Sequence, residues 1–193
     1  YIMDNNYIAN IAEFNIERAV KAVDAYSKST GIGCIVINTK GATLYSNIKD
    51  INCCRIIKNV EGLSGNQMCT HAHLYGSYQS ERFGGKYVFF CPIGLVHWVS
   101  PIINHNVLKG AIIAGPVQMV EPEEFLIEDI LAKNNIEPKD ISAIKNTLHD
   151  IPVINPEKVN SMSEMLSMVA LYVSDIQPSK YCEKENILEQ QSS

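Results

Sequence analysis

The longest stretch of the chain without a charged side chain lies between Lys86 and Lys109 and contains 22 residues. That length would suffice for a membrane-spanning helix. Pro92, Gly94 and Pro101 interrupt it, however, and a helix broken at these positions would leave backbone groups without hydrogen bonds in lipid. We therefore interpret the stretch as β-structure and expect no membrane association.

Three runs rich in Val, Ile, Phe and Trp occupy this part of the chain and are separated by turn residues. They cover residues 86–91, 94–103 and 107–114 and predict a three-stranded antiparallel meander. Upstream, residues 33–38 and 42–46 flank a turn sequence and predict a β-hairpin.

Helices are predicted before and after these strands. Apolar side chains at spacings of three and four predict one over residues 7–28, and Ser64 is a suitable N-cap for another that ends near Ser80. A short helix is expected near residues 53–58. Three further helices are predicted where a proline lies just inside the first turn, at Pro122, Pro138 and Pro156. The element order predicts an α+β domain with an antiparallel sheet flanked by helices.

The last helix, which follows Asn155, carries a heptad-like seam. Its members are Val159, Met162, Leu166, Val169, Val173 and Ile176. Such a seam fits packing on the domain itself and homodimerisation equally well. Beyond Pro178 the sequence is charged and is typical of a linker helix, so we expect one domain over residues 1–177 and the start of a linker to an output domain over residues 178–193.

Composition narrows the function classes. With 193 residues, 46% of them apolar, the chain suits one globular domain that can hold a ligand cavity. A net charge of −5 without a basic cluster argues against direct nucleic-acid binding.

Six unevenly spaced cysteines favour reduced thiols and a cytoplasmic location. Because the sequence begins at Tyr1, we treat the true N-terminus as unseen.

The β-rich region contains a candidate ligand pocket. Alternation about the Pro92-Ile93-Gly94 turn puts Phe89, Cys91, Leu95 and His97 on one face, and Phe90, Val96 and Trp98 on the other. An apolar, aromatic wall with few polar groups is typical of a small-molecule site and also of a plain hydrophobic core. The predicted ligand-binding residues are Phe89, Cys91, Leu95, His97 and Trp98.

A second set of residues could hold a metal. Cys69 and His73 are four residues apart and share a helix face, and with Cys54 and Cys91 they would form a site of three sulfurs and one nitrogen. Zinc, an iron-sulfur centre or another iron cofactor would suit such ligands. The intervals differ from those of zinc ribbons, so no cofactor is predicted outright and the metal site stays an alternative.

Enzymatic chemistry is disfavoured. A nucleophilic dyad of Cys91 and His97 would need oxyanion donors, yet no suitable glycine run adjoins it. Neither a phosphate-binding glycine loop nor a paired-carboxylate motif occurs in the sequence. The glycines between Gly110 and Gly115 fit close backbone packing instead. We expect a protein that is not an enzyme.

Several motifs closely resemble the PocR sensory domain family over about residues 8–173. They are Cys54-Arg55-Ile56-Ile57, Gly65-Asn66-Gln67-Met68-Cys69, Phe90-Cys91-Pro92-Ile93-Gly94-Leu95-Val96, Ser100-Pro101-Ile102 and the stretch from Gly110 to Gly115. The order of cysteine, glycine-leucine and proline from Cys91 to Pro101 is the most specific element.

The resemblance implies a PAS-like sensor that binds small hydrocarbon derivatives such as short diols. Such domains precede an output module in bacterial transcription regulators or histidine kinases. Cys54, Cys69 and Cys91 match recurring cysteines of the family, whereas His73 stands where the family often has an acidic residue. We expect occupancy of the pocket to bias a C-terminal signalling helix. A metal or redox sensor and a structural dimerisation module are the competing hypotheses.

Overall fold

The computed structural model describes residues 13–48, 65–119 and 138–174. Within these ranges the chain forms five strands and four helices. In chain order they are α1 (Ile16–Thr30), β1 (Cys34–Asn38), β2 (Thr43–Ser46), α2 (Gly65–Arg82), β3 (Tyr87–Phe90), β4 (Val96–Asn104), β5 (Val107–Val117), α3 (Pro138–Leu148) and α4 (Pro156–Val173).

The strands form one antiparallel sheet in the order β2-β1-β5-β4-β3. Both predicted strand groups are confirmed: β3, β4 and β5 form the meander, and β1 and β2 form the hairpin. The two groups join where β1 pairs with β5, for example through Val36 opposite Ile112. Strands β4 and β5 therefore lie inside the sheet, and β3 is at one edge of it.

Local sequence signals explain the ends of the helices. The Asn15 side chain accepts a hydrogen bond from the Arg18 backbone N–H at the start of α1, and Asn155 does the same for Lys158 at the start of α4. Helix α1 ends at Gly31, whose φ of 75° suits glycine. The helices predicted near residues 53–58 and after Pro122, and the first part of the helix predicted from residue 7, lie outside the described residues.

Helices cover both faces of the sheet. Helices α1 and α4 pack on one face, in a buried cluster that includes Val23, Trp98, Ile112 and Leu166. Helix α2 packs on the opposite face, which carries the smaller cluster described below. This arrangement confirms the predicted α+β class, with an antiparallel sheet flanked by helices and a C-terminal helix.

The heptad-like seam of α4 points into the domain itself. Val159, Met162, Leu166 and Val173 are buried, and Val169 is partly buried against the same cluster. Ile176 lies outside the described residues. Of the two uses predicted for this seam, the structure shows packing on the domain. Among the described residues, no helix combines the length and apolar character needed to cross a membrane.

Candidate ligand-binding site around His97

The face of the sheet beneath α2 is lined by apolar side chains from several strands. Its buried residues are Ile35, Ile37, Phe89, Val99, Ala111 and Ile113. Helix α2 approaches this face at Gly76, where an added Cβ would lie only 2.8 Å from a ring carbon of Phe89 and 3.2 Å from Val99. The helix backbone therefore rests directly on the Phe89 ring.

His97 is the polar member of this face. Because side chains alternate along β4, His97 and Val99 point towards α2 while Val96 and Trp98 point the other way. His97 is only 7% exposed. Its ring stacks on the ring of Phe89, its cross-strand neighbour, with 5.5 Å between the centroids and 20° between the planes.

His73 of α2 completes a cluster of three rings. Its imidazole centroid lies 6.0 Å from that of His97 and 6.4 Å from that of Phe89, with an edge-on geometry to both. His73 is half-buried, whereas Phe89 and His97 are buried. The cluster therefore extends from the interior of the sheet towards the partly open side of α2.

A second glycine makes room beneath the imidazole. Gly115 of β5 has a φ of +124°, which L residues rarely adopt. A Cβ at this position would lie 3.1 Å from Cδ2 of His97 and 2.9 Å from the Val96 carbonyl oxygen. His97 thus lies against bare backbone of the neighbouring strand, just as Phe89 lies against bare backbone of α2.

Burial determines the charge of His97. Desolvation, with a further contribution from nearby His73, lowers the pKa of His97 to about 3, so its imidazole is neutral at neutral pH. Nδ1 lies 3.4 Å from the Leu95 carbonyl oxygen, a long contact for a hydrogen bond. Because a carbonyl only accepts, this contact favours a proton on Nδ1 and leaves Nε2 as an acceptor.

Nε2 of His97 has no hydrogen-bond donor among the residues that the structure describes. The ring therefore retains a hydrogen-bonding capacity that the described protein groups do not use. An uncharged molecule with one donor and an apolar body would match this nitrogen and the neighbouring rings.

Cys91 and Leu95 lie at the tip of the β3–β4 hairpin. The Cys91 N–H donates to the Leu95 carbonyl at 2.8 Å, and the Gly94 N–H donates to the Cys91 carbonyl at 2.8 Å. Leu95 is buried and Cys91 is half-buried. The structure thus brings Phe89 and His97 into contact and closes the hairpin at Cys91 and Leu95.

Trp98 lies on the opposite face of the sheet and is fully buried between β4 and the two helices there. Its indole N–H donates to the Tyr26 hydroxyl at 2.9 Å. The Tyr26 hydroxyl donates in turn to the Met162 carbonyl oxygen of α4 at 2.9 Å. Among the predicted ligand-binding residues, Trp98 is therefore separated by the sheet from Phe89 and His97.

Three of the four predicted metal ligands lie on α2 or at the tip of the β3–β4 hairpin. Cys69 and His73 are half-buried on α2, and Cys91 is half-buried at the hairpin tip. Across residues 13–48, 65–119 and 138–174, no group of three His, Cys, Asp or Glu side chains is suited to hold a metal. Cys54 lies outside these ranges, so the four-ligand site stays a prediction.

Sequence reasoning missed three residues that shape the two sides of β4. Gly76 lies within a predicted helix and was not singled out there, although a glycine inside a helix often marks a close approach of the helix backbone to another element. Tyr26 and Met162 form the hydrogen-bonded path from Trp98, and no local signal links positions so far apart in sequence. The close packing expected of the Gly110–Gly115 stretch is found at Gly115.

Comparison with known proteins fits this geometry. The family match defines the class of the protein as a sensor domain of a signalling or regulatory protein. Residues 13–177 match the family described as the sensory domain found in PocR. Because the match covers most of the chain, the protein belongs to this family.

The matches among solved structures are more distant. A protein described as an IclR-family transcriptional regulator is 12% identical, with a TM-score of 0.39 over 82% of this chain and 93% of its own. A C-terminal domain described as part of a transcriptional regulator from Vibrio cholerae is 11% identical, with a TM-score of 0.34 over 71% and 94%. An IclR homologue from Microbacterium hydrocarbonoxydans, complexed with 4-hydroxybenzoate, is 10% identical, with a TM-score of 0.32 over 69% and 68%. No curated protein matches the chain.

Proposed function

We propose that this domain is a non-enzymatic sensor of a small, uncharged hydrocarbon derivative, such as a short diol, and that the ligand binds beside His97 on the α2 side of the sheet. Phe89 would contact the apolar part of the ligand, and Cys91 and Leu95 would border it at the hairpin tip. The observation that carries this proposal is the buried, neutral imidazole of His97, whose Nε2 is left as an acceptor.

The environment of His97 favours a hydroxyl group over a charged one. A ligand hydroxyl can donate to Nε2 and so satisfy the nitrogen without bringing a charge into the interior. A carboxylate would need a cationic partner, and the pKa of about 3 means that His97 is not one at neutral pH. Phe89, whose ring stacks on that of His97, provides an apolar neighbour for a short aliphatic chain.

The same pKa argues against catalysis. A general base works best when its pKa is close to the working pH, and His97 is far below neutrality. Burial likewise raises the pKa of the Cys34 thiol to about 12, so this cysteine carries no thiolate nucleophile at neutral pH. Both groups suit a binding module better than an enzyme.

The signal would pass through β4. His97 and Trp98 are consecutive residues on opposite faces of one strand, so a ligand that shifts His97 also shifts the backbone that holds Trp98. From Trp98 a hydrogen-bonded path runs through Tyr26 to the Met162 carbonyl of α4. A sensor needs only that the ligand binds one arrangement of this path better than another.

We propose that α4 then relays occupancy to an output domain attached beyond residue 177, in a cytoplasmic regulator. The affinity has an upper limit. A diol of about five non-hydrogen atoms gains at most roughly 7.5 kcal/mol, which corresponds to micromolar binding or weaker.

Calorimetric titration with ethane-, propane- and butanediols tests the ligand and its place. We expect saturable binding to the wild type with a micromolar to millimolar dissociation constant, and at least about tenfold weaker binding to His97→Leu. His71→Leu is the matched control, because His71 is an exposed histidine on α2. Equal binding to the wild type and His97→Leu would contradict the site, and no binding of any diol would contradict the ligand class.

Metal or redox sensing is the second candidate, favoured by the placement of half-buried Cys69 and His73 one turn apart on α2. Native mass spectrometry of freshly purified protein distinguishes the two functions. A mass excess equal to zinc or an iron cluster, lost in Cys69→Ser, would support the metal function. An excess equal to a small organic molecule would support the first proposal.

A further inference from the structure

One buried glutamine fastens β5 to the connecting segment, residues 149–155, which leads from α3 into α4. Gln118 follows the last residue of β5 and is only 8% exposed. Its backbone N–H donates to the Pro152 carbonyl at 2.9 Å, and its own carbonyl accepts from the Ile154 N–H at 2.7 Å. Together they form a parallel bridge between Gln118 and Val153. The connecting segment is therefore held against the end of β5.

The side-chain amide of Gln118 adds a second hold. Its Nε2 donates to the Leu148 carbonyl oxygen at 3.0 Å and to the Ile151 carbonyl oxygen at 3.1 Å. Leu148 is the last residue of α3, and carbonyl groups at the end of a helix need partners from outside the helix. Both N–H groups of the buried amide are thus used on one short stretch of backbone. This pairing fixes the position of the connecting segment relative to β5.

The connecting segment positions the start of α4. Ile154, whose N–H bonds to Gln118, directly precedes Asn155, the N-cap of α4. Seven residues after this cap, the Met162 carbonyl accepts from the Tyr26 hydroxyl, on the path that leads to β4. Helix α4 is therefore attached to β5 at its start and to β4 about two turns later.

The proposed ligand site lies where β4 meets β5, close to this attachment. His97 belongs to β4, and Cδ2 of its ring would lie 3.1 Å from a Cβ at Gly115 of β5. Gln118 is three residues further along the chain than Gly115. Between them, Val117 pairs with Val96, the residue before His97. A shift of the imidazole would therefore press on the β5 backbone near Gln118.

We propose that Gln118 is a positioning residue that makes the start of α4 follow β5, and through β5 the occupancy of the site beside His97. The inference rests on the proposed function, because it takes the ligand to bind at that site. A ligand that moves β4 relative to β5 changes the angle of α4 on the sheet, since the two strands hold α4 at different points. This attachment is separate from the path through Trp98.

Hydrogen–deuterium exchange of the full 193-residue chain first tests the attachment without ligand. Gln118→Met is close to glutamine in size but loses both side-chain hydrogen bonds. We expect the backbone amides of residues 150–159 to exchange at least about tenfold faster in this variant than in the wild type. Gln118→Asn, whose amide is one methylene shorter, should have the same effect and serves as a second variant.

The matched control is Thr147→Val, because the Thr147 hydroxyl donates to the Ile144 carbonyl within α3 itself. This variant should exchange at residues 150–159 as the wild type does. Circular dichroism and melting temperature establish which variants are folded. Wild-type exchange rates at residues 150–159 in the folded Gln118 variants would overturn the attachment.

Propanediol then tests the relay. Saturating propanediol should change the exchange of residues 150–159 at least about fivefold in the wild type. In Gln118→Met this change should be lost, although the calorimetric dissociation constant stays within about threefold and the Trp98 emission still responds. A residue that only stabilises the fold would not separate these signals in this way.

Two results would overturn the relay. One is saturable binding to the wild type without any change in the exchange of residues 150–159. The other is a Gln118→Met variant that keeps the full ligand-dependent change. Absence of diol binding to the wild type would instead contradict the proposed function, and exchange without ligand would still decide whether Gln118 holds the start of α4.

Discussion

Two consecutive residues of β4, His97 and Trp98, differ in how their polar atoms are hydrogen-bonded on the two faces of the sheet. On the α1 and α4 face, the indole N–H of Trp98 and the hydroxyl of Tyr26 each donate to a partner at 2.9 Å. On the α2 face, His97 makes one long contact at 3.4 Å and has no described donor at Nε2. Trp98 and Tyr26 thus link β4 to α1 and α4, whereas Nε2 of His97 stays available as an acceptor.

This difference is located at two consecutive residues. His97 and Trp98 belong to one strand, and neither can move without the backbone that both share. Under the proposed function, the α2 face binds the ligand and the α1 and α4 face responds to it.

Truncation of the indole should affect stability most. Trp98→Ala removes a fully buried ring and its hydrogen bond to Tyr26, so we expect the free energy of unfolding to fall by about 3–5 kcal/mol. Urea denaturation measures this loss. Phe90→Ala, at an exposed aromatic residue of the neighbouring strand, should change the free energy by less than about 1 kcal/mol. An equal fall in the free energy of unfolding of the two variants would contradict the structural role of Trp98.

Acid should destabilise the protein through His97. The unfolded state takes up a proton near pH 6.5, whereas burial lowers the pKa of His97 in the folded state to about 3. Stability from this residue is thus complete above pH 6.5 and is lost as the pH falls, at about 1.4 kcal/mol per pH unit. Between pH 6.5 and 5 the wild type should lose about 2 kcal/mol more than His97→Leu. If the free energy of unfolding of the two proteins depends on pH in the same way, burial does not lower the pKa of His97 in the folded protein.

Crowding the contact between α2 and Phe89 should cost less stability but should weaken binding. In Gly76→Ala the new methyl lies within 3 Å of the Phe89 ring, and overpacking of this kind costs about 1–3 kcal/mol. The higher helix propensity of alanine offsets about 1 kcal/mol of this loss of stability. Melting curves and diol titration measure both effects. Gly76→Ala/Phe89→Leu should recover stability, and a double variant less stable than Gly76→Ala would show that the two residues do not compete for space.

The smallest effect is expected at Ser100, which lies on the Trp98 side of β4. Its buried hydroxyl oxygen has no hydrogen-bond partner in the structure. Removing an unpaired buried hydroxyl relieves its desolvation cost, so Ser100→Ala should leave the protein equally stable or more stable by up to about 1 kcal/mol. If Ser100→Ala lowers the free energy of unfolding by more than about 1 kcal/mol, the Ser100 hydroxyl makes a hydrogen bond that the structure does not show.

Much of the fold could be predicted because its signals are local. Alternating apolar residues predicted the strands, and Asn155 followed by Pro156 predicted the start of α4. The contacts that define the site are not local. Gly76 meets Phe89 only because α2 lies across β3 and β4, and Tyr26 bonds to Met162 across 136 positions. Alternation placed His97 and Trp98 on opposite faces, but only tertiary packing determines that both faces are buried and which helix covers each.

The fluorescence of Trp98 offers the most direct test of coupling across β4, because it is the only tryptophan in the chain. Titration with propanediol should change the Trp98 emission saturably, at the same concentrations that produce heat in calorimetry, and His97→Leu should abolish both signals. Calorimetric binding that leaves the Trp98 emission unchanged would contradict the claim that β4 carries ligand occupancy from one face of the sheet to the other.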